Sequence, residues 1–255
     1  MDTTVSSLSI IVIVLTLAVI AVISPIIRKR RNLITLRRIP AYEALPSFVG
    51  RSIESSRPLH ISLGSAGIGG ESTLLAIASA ELAYQVVQQA AIGDAPPILT
   101  LTSASAFPLG QDTLRRAYQS RGLVERYSAS EVRWYPAGTR SLAFAAAITA
   151  LQGDDEISAN IFAGSYGAEL ALMLDSAARR KQPTIAVSDQ LEGQAVAFAL
   201  ADEPLIGEEI FAAGSYLERG AVQLAEAITM DLLRWLLILA MLAAFIIGIL
   251  NNGGG

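Results

Sequence analysis

Two long apolar segments, one near each end of this 255-residue chain, constrain its fold more than any other feature. Residues 3–27 contain no charged side chain, and Arg234 is the only charged residue in 232–250. A helix of twenty residues is about 30 Å long, which matches the hydrocarbon layer of a bilayer. The sequence therefore predicts a transmembrane helix over 8–27 and a helix over 228–250 that continues into a second span. A buried core helix is the alternative for each segment.

Basic residues on one flank of the first segment predict the topology. Six basic residues lie within 28–38, whereas Asp2 is the only charged residue before the segment. Positive charge favours the cytoplasmic side, so the first span is a retained anchor with residues 1–7 outside, and the second span places the tail 251–255 outside as well. We therefore expect a two-pass protein of the cell membrane with a cytoplasmic central domain. The basic residues expected to contact lipid headgroups are Arg28, Lys29, Arg30 and Arg31.

A stripe of small residues lies on the second apolar segment. Ala240, Ala244 and Gly248 are four residues apart, which places them on one helix face where another helix can approach closely. The partner is either the first span of the same chain or a second copy of the protein. The stripe is thus a candidate membrane packing surface for a homo-oligomer.

Short apolar strands alternate with helical segments between residues 59 and 227. Residues 28–58 before them are expected to form a basic juxtamembrane segment and connector, with one short helix over 47–55. Strands are predicted at 59–63, 97–102, 132–135, 157–163 and 184–187, whereas 195–201 and 208–213 fit either a strand or a helix. This alternation predicts parallel βαβ units in a three-layer α/β domain with a mostly parallel sheet. The alanine content suggests an all-helical alternative, which the segments PILTLT and PTIAVSD oppose.

Polar residues follow the predicted strands, and in a parallel sheet these turns meet at one edge. The candidate ligand-binding residues at that edge are Ser65, Glu71, Ser103, Ser165, Glu169 and Asp189, with Ser105, Thr139 and Glu192 nearby. Hydroxyls and carboxylates suit a small polar or cationic ligand, or a divalent ion bound through oxygen. The competing interpretation is that these side chains only cap helices and complement helix dipoles.

Composition excludes several kinds of site. The chain has no cysteine, and His60 is its only histidine, so thiolate or multi-histidine metal sites are excluded and no metal ligands are assigned. The glycine-rich turn 64–70 fits a dinucleotide fingerprint only loosely, because Ser72 stands where a third glycine or alanine is expected. No Walker-type phosphate loop is present. The sequence therefore leaves the cofactor unknown.

The central domain is acidic. Residues 39–227 hold 12 basic and 21 acidic side chains, a net charge of −9, which disfavours binding to nucleic acid. The side chains available for proton transfer are its carboxylates, Tyr166 and Tyr216.

An internal echo links two segments of the domain. The sequences FAGSYGAE (162–169) and FAAGSYLE (211–218) share a Gly-Ser-Tyr triplet. Either a strand–turn–helix unit has been duplicated, or both positions form turns that need the same small residues.

The order of several motifs resembles a prokaryotic family known as a domain of unknown function. These motifs are RPLHISLGSAG, PILTLTSA, FAGSYGAELALML, TIAVSD and ADEPLIGEEIFAAGSYL, and the resemblance covers nearly the whole chain. It implies a small bacterial or archaeal membrane protein with a Rossmann-like cytoplasmic domain. It implies no activity.

These observations favour a non-enzymatic function. We expect a membrane-anchored, Rossmann-like module that binds a small polar ligand or an unidentified protein partner, contacts membrane lipids and forms a homo-oligomer. The alternative is a membrane-bound enzyme with a carboxylate and divalent-metal site, or a nucleotide site, at the carboxyl ends of the strands.

Overall fold

The computed structural model of the chain describes residues 37–154 and 156–217, and isolated positions in the two apolar segments. Those positions are 14, 18, 21, 25, 228, 229, 232, 234, 235, 237, 238, 241 and 242. The chain divides into two units, one formed by Arg37–Leu217 and the other by Met1–Leu36 with Glu218–Gly255. The description below concerns the first unit.

Most of the predicted membrane features lie outside the described residues. This holds for most of both predicted spans, and for Arg28, Lys29, Arg30, Arg31, Ala240, Ala244 and Gly248. Where the structure does describe the chain, no helix combines the length and apolar composition needed to cross a membrane. The two spans, the topology and the packing stripe therefore stay predictions.

The unit Arg37–Leu217 alternates strands and helices. The strands are β1 (Leu59–Gly64), β2 (Ile98–Leu101), β3 (Val132–Trp134), β4 (Ala159–Ser165), β5 (Thr184–Val187) and β6 (Glu203–Pro204). The helices are α1 (Pro40–Ser55), α2 (Thr73–Ala90), α3 (Phe107–Ser120), α4 (Leu142–Asp154), α5 (Leu170–Arg179), α6 (Leu191–Leu200) and α7 (Ala213–Leu217). Single 3-10 turns, such as Gly207–Ala212 before α7, complete the connections.

The six strands form one sheet in the order β3-β2-β1-β4-β5-β6, and every neighbouring pair is parallel. Successive side chains of a strand point to opposite faces of the sheet. In β1, Leu59, Ile61 and Leu63 therefore point to the same face and join the larger core. The α/β prediction with a parallel sheet is confirmed, and the all-helical alternative is wrong. The strand order is the one found in Rossmann-like domains.

Helices cover both faces of the sheet. The larger core packs α1, α2, α3 and α7 against one face, and a second cluster packs α4, α5 and α6 against the other. Phe162 and Ala186 point from the sheet into this second cluster, between neighbours that join the first. The architecture is therefore a three-layer α/β/α arrangement, as expected from parallel βαβ units.

The segment before β1 differs from the prediction of a connector with a short helix. Residues Pro40–Ser55 form one helix that begins with proline at its first turn, where a missing N–H costs nothing. Tyr42, Leu45 and Phe48 are buried in the larger core. Pro46 lies inside this helix. Because an internal proline is ordinarily a sign that a helix ends, the sequence did not indicate the full length of the helix or its buried apolar face.

The ambiguous segments and the internal echo are resolved by the structure. Residues 195–201 belong mostly to α6, and 208–213 lie mainly in the 3-10 turn before α7. Gly164 and Ser165 end strand β4, whereas Gly214, Ser215 and Tyr216 are helical. Because the two triplets adopt different structures, the expectation that both form the same kind of turn is wrong.

His60 lies at the centre of a buried polar network. Its Nδ1 is 2.8 Å from Asn160 Oδ1 and its Nε2 is 2.9 Å from Thr100 Oγ1. Asn160 also donates to Gln182, which donates to the carbonyl of Gln152. The network joins β1, β2 and β4 to the ends of α4 and α5, so His60 is a packed histidine enclosed in the fold.

Candidate functional site

The sheet changes direction between β1 and β4. The chain proceeds outward from β1 through β2 to β3, and then from β4 through β5 to β6 on the other side. The helix after β1 covers one face and the helix after β4 covers the opposite face, so their loops diverge. A crevice at such a reversal is the usual ligand site of open α/β sheets. We call the side where the strands end the carboxyl edge, and the opposite side the amino edge.

Three loops meet at this reversal through direct polar contacts. The backbone N–H and the hydroxyl of Ser65 donate to the carbonyl oxygen of Ser165, at 3.0 and 2.9 Å. Gln190 Nε2 donates to Ser165 Oγ at 3.0 Å. The loop after β1, the end of β4 and the loop after β5 are thereby joined at the reversal of the sheet. Two predicted site residues, Ser65 and Ser165, lie together as the sequence indicated.

The glycine-rich loop after β1 is held by hydroxyl side chains. Ser72 Oγ accepts from Gly67 N at 3.1 Å, and Ser105 Oγ accepts from Ile68 N at 2.9 Å. Thr73 Oγ1 accepts from the N–H groups of both following glycines of the loop, each at 3.0 Å. These four backbone donors, which a phosphate would otherwise use, already have internal partners. The loop arrangement therefore differs from a phosphate cradle.

Ser103 supports the same loop from the neighbouring strand. Its hydroxyl lies 3.0 Å from that of Ser105, and a Cβ on Gly67 would stand 2.3 Å from Ser103 Oγ. Only glycine leaves room for this approach. Ser103 is thus placed at the carboxyl edge, as predicted, but against the glycine-rich loop.

The three predicted carboxylates take different positions. Glu169 Oε1 accepts from Gly167 N at 2.9 Å in the loop before α5, and its side chain makes no capping hydrogen bond to the helix. Glu71 and Asp189 are exposed at the carboxyl edge. Across residues 37–154 and 156–217, no three acidic or histidine side chains approach closely enough to hold a metal ion.

Both tyrosines considered for proton transfer have structural partners. Tyr166 is fully buried in the second cluster, and its hydroxyl donates to the carbonyl of Ser62 at 2.7 Å. Burial raises the pKa of Tyr166. Tyr216 stacks on Tyr42 and donates to the carbonyl of Arg37 at 2.5 Å. Neither hydroxyl lies at the crevice.

Sequence reasoning missed Gln190 and the role of Ser188. Ser188 Oγ accepts from the N–H groups of Tyr166 and Gln190, at 3.0 and 3.1 Å, and donates to the carbonyl of Tyr166. This serine therefore ties the loop after β5 to the loop after β4. Its position directly after an apolar strand is the signal that could have identified it.

The fold defines an α/β protein of the Rossmann-like class in which Ser65, Ser165 and Gln190 join the loops at the reversal of the sheet. Residues 2–253 match the family described as a domain of unknown function (DUF6754), and the chain belongs to that family. The resemblance predicted from the motifs is thereby confirmed. Comparisons with curated proteins and with solved structures find no match.

Proposed function

We propose that this protein is a membrane-anchored, Rossmann-like module that works by binding a small polar ligand at the crevice between β1 and β4. The observation that carries the proposal is the convergence of Ser65, Ser165 and Gln190 at the point where the strand order reverses. Ligands of open α/β sheets bind at such points.

The chemistry of the crevice favours a neutral or cationic ligand. Hydroxyl and amide groups supply both donors and acceptors, and the carboxylates of Glu169 and Asp189 lie at the same edge. An anionic ligand would meet these carboxylates and a loop whose N–H groups are already bonded. A polyol, an amide or an ammonium-bearing compound is the expected class.

The buried titratable side chains do not reach a ligand at the carboxyl edge, because His60 and Tyr166 are enclosed in the core. General acid–base catalysis needs a titratable group within hydrogen-bond reach of the substrate. The exposed carboxylates at this edge are those of Glu71 and Asp189.

Membrane anchoring is the second part of the proposal. The apolar segments 8–27 and 232–250 support two spans, and the basic residues after the first support a cytoplasmic domain with both chain ends outside. The stripe of Ala240, Ala244 and Gly248 supports a homo-oligomer formed within the membrane. An unidentified protein partner is the other occupant that the module would accommodate.

Native mass spectrometry of the full chain purified from its own membranes tests the ligand. We expect a small molecule to accompany the protein and to be lost in Gln190→Ala. Gln88→Ala is the matched control, because Gln88 Nε2 also donates to a serine hydroxyl, that of Ser120, but near the amino edge. Absence of any bound molecule, with no change in Tm on adding polyols, amides or ammonium-bearing compounds, would contradict ligand binding.

Tryptophan quenching tests the anchor. Trp134→Phe leaves Trp235, at the start of the second apolar segment, as the only tryptophan. We expect brominated lipids in nanodiscs to quench its fluorescence. Unquenched emission from this variant would contradict the second span.

A further inference from the structure

Both ends of the unit Arg37–Leu217 lie at the carboxyl edge. Helix α1 runs from the carboxyl edge, where Tyr42 donates to the carbonyl of Glu209, to the amino edge, where Arg51 donates to the carbonyl of Lys181. At the other end of the unit, Tyr216 donates to the carbonyl of Arg37. The chain therefore enters and leaves the unit side by side.

The tethers to the apolar segments are short. Only nine residues, 28–36, separate the first apolar segment from Arg37, and a chain of that length spans at most about 30 Å. Fourteen residues, 218–231, separate Leu217 from the second segment. With both segments in the bilayer, as proposed above, Arg37 lies within about 30 Å of the membrane.

The same edge carries exposed large apolar side chains. They occur in the loop after β1, at the ends of strands and in the first turns of helices, namely Ile68, Leu74, Trp134, Leu142, Leu191 and Ile206. Leu74 is 71% and Leu191 86% exposed. Scattered exposed apolar residues are normal, but a concentration at one edge marks an interaction surface.

The amino edge differs in degree. Its helix-to-strand turns carry dense charge, as in Arg121, Glu125 and Arg126 or in Arg179, Arg180 and Lys181. Its exposed large apolar side chains are fewer, namely Ile92, Val124, Phe198 and Leu200. Apolar side chains beside charged ones are typical of surfaces that lie at a membrane interface, and the carboxyl edge carries more of the apolar ones.

We propose that the carboxyl edge of the unit rests on the membrane, with Leu74 and Leu191 inserted among the lipid headgroups. This inference rests on the anchoring part of the proposed function. Glu71, Asp189 and Glu192 lie at the same edge, and their carboxylates suit the ammonium groups of zwitterionic lipids. The crevice between β1 and β4 then opens toward the bilayer, and the ligand class narrows to a compound at the membrane surface, such as an ammonium-bearing headgroup.

Site-directed spin labelling of the full chain in phosphatidylcholine nanodiscs tests the contact. The chain has no cysteine, so Leu74→Cys and Leu191→Cys each introduce one labelling site at an exposed position. Ile92→Cys is the matched control, because Ile92 is 60% exposed but follows α2 at the amino edge. Collision of the label with oxygen reports lipid, and collision with a soluble nickel chelate reports water.

We expect the labels at positions 74 and 191 to collide at least tenfold less with the nickel chelate than the label at 92, and more with oxygen. Equal nickel collision at all three positions would overturn the membrane contact and leave the anchor intact. Low collision with both reagents at 74 and 191 would overturn it in favour of a covering protein or a second copy. Release of the chain from the nanodisc by alkaline carbonate would overturn the anchor and the contact together.

Discussion

Hydroxyl side chains hold the backbone of the carboxyl edge in place. Ser72, Thr73 and Ser105 satisfy the N–H groups of the glycine-rich loop, and Ser188 joins two further loops. The N–H groups of Gly67 and Tyr166 are partly or fully buried, and such a donor without a partner is costly, so these two contacts stabilise the loops that a ligand would meet. Of the predicted hydroxyls, Ser65 and Ser165 lie at the reversal of the sheet, where a polar ligand would contact them.

Glu131 is a buried carboxyl group away from the crevice. It precedes β3, and its Oε1 accepts from Ser128 N at 3.3 Å. Burial raises its pKa from 4.5 to about 7, although the Ser128 N–H, the Tyr118 hydroxyl and Arg126 oppose this shift. The folded protein therefore binds one proton more than the unfolded chain between these two pH values, and its stability falls as the pH rises through this window.

Glu131→Gln is expected to raise the free energy of unfolding by about 1–3 kcal/mol at pH 8, because a neutral amide replaces a buried charge and keeps the acceptor for Ser128. The gain should be much smaller at pH 5, where the native carboxyl is protonated. Thermal unfolding of the full chain in detergent measures both values. Glu125→Gln, at an exposed neighbouring carboxylate, is the control. An equal gain at both pH values would contradict the raised pKa.

At the scale of elements, periodicity and strand chemistry predicted much of the fold. Strands β1 and β5 lie where the apolar runs indicated, because a buried parallel strand is a short apolar segment bounded by turns. The two-residue strand β6 and the full length of α1 were not predicted. A strand of two residues has no recognisable period, and an internal proline is ordinarily a sign that a helix ends.

Helix α6 contacts the loop after β4 through a glycine. A Cβ on Gly193 would stand 2.1 Å from the carbonyl oxygen of Tyr166. Gly193→Ala is therefore expected to lower the free energy of unfolding by about 1–3 kcal/mol, since the backbone must move to accept the methyl group.

Gly50→Ala is the matched control for this substitution. Gly50 lies within α1, with nothing within 4 Å of its added Cβ. Alanine there should stabilise the chain by about 0.5–1 kcal/mol, because it restricts the unfolded chain and favours the helix. Thermal unfolding of the two variants in parallel gives the comparison, and a similar loss in both would contradict the close contact at Gly193.

At the scale of the whole molecule, one cluster joins the two ends of the unit. Arg37 pairs with Glu209, and the rings of Tyr42 and Tyr216 stack with centroids 5.1 Å apart. Tyr42 is buried and donates to the carbonyl of Glu209 at 2.6 Å. The cluster therefore holds the entry and exit of the chain at a single place on the carboxyl edge.

Tyr42→Phe is expected to speed hydrogen exchange about fivefold in residues 209–217, because the variant loses one hydrogen bond worth about 1 kcal/mol and keeps the stacked ring. Hydrogen exchange with mass spectrometry on the full chain measures this change. Tyr84→Phe, on the outer side of α2, should leave the segment unaffected. Unchanged exchange in Tyr42→Phe would show that the contact does not hold the chain end.

A substitution in the small-residue stripe of the second apolar segment tests self-assembly within the membrane. Gly248→Leu should reduce cross-linked oligomers in native membranes, because the larger side chain prevents close helix approach. Ala243→Leu adds a similar side chain about 100° around the helix from Ala244 and serves as the control. A monomeric pattern for the native chain and for both variants would contradict assembly.

The sequence by itself determined the alternation of strands and helices, the acidity of the central domain and the expected edge of the ligand site. Each follows from local patterns, since apolar period and strand-end chemistry are properties of short segments. The tertiary structure alone decided that Ser65 meets Ser165, 100 residues away, and that the glycine-rich loop uses its own hydroxyls. It also decided that the Tyr166 hydroxyl is buried against the carbonyl of Ser62 and that the Tyr216 hydroxyl contacts the carbonyl of Arg37. Such pairings depend on how distant segments pack, which no local pattern encodes.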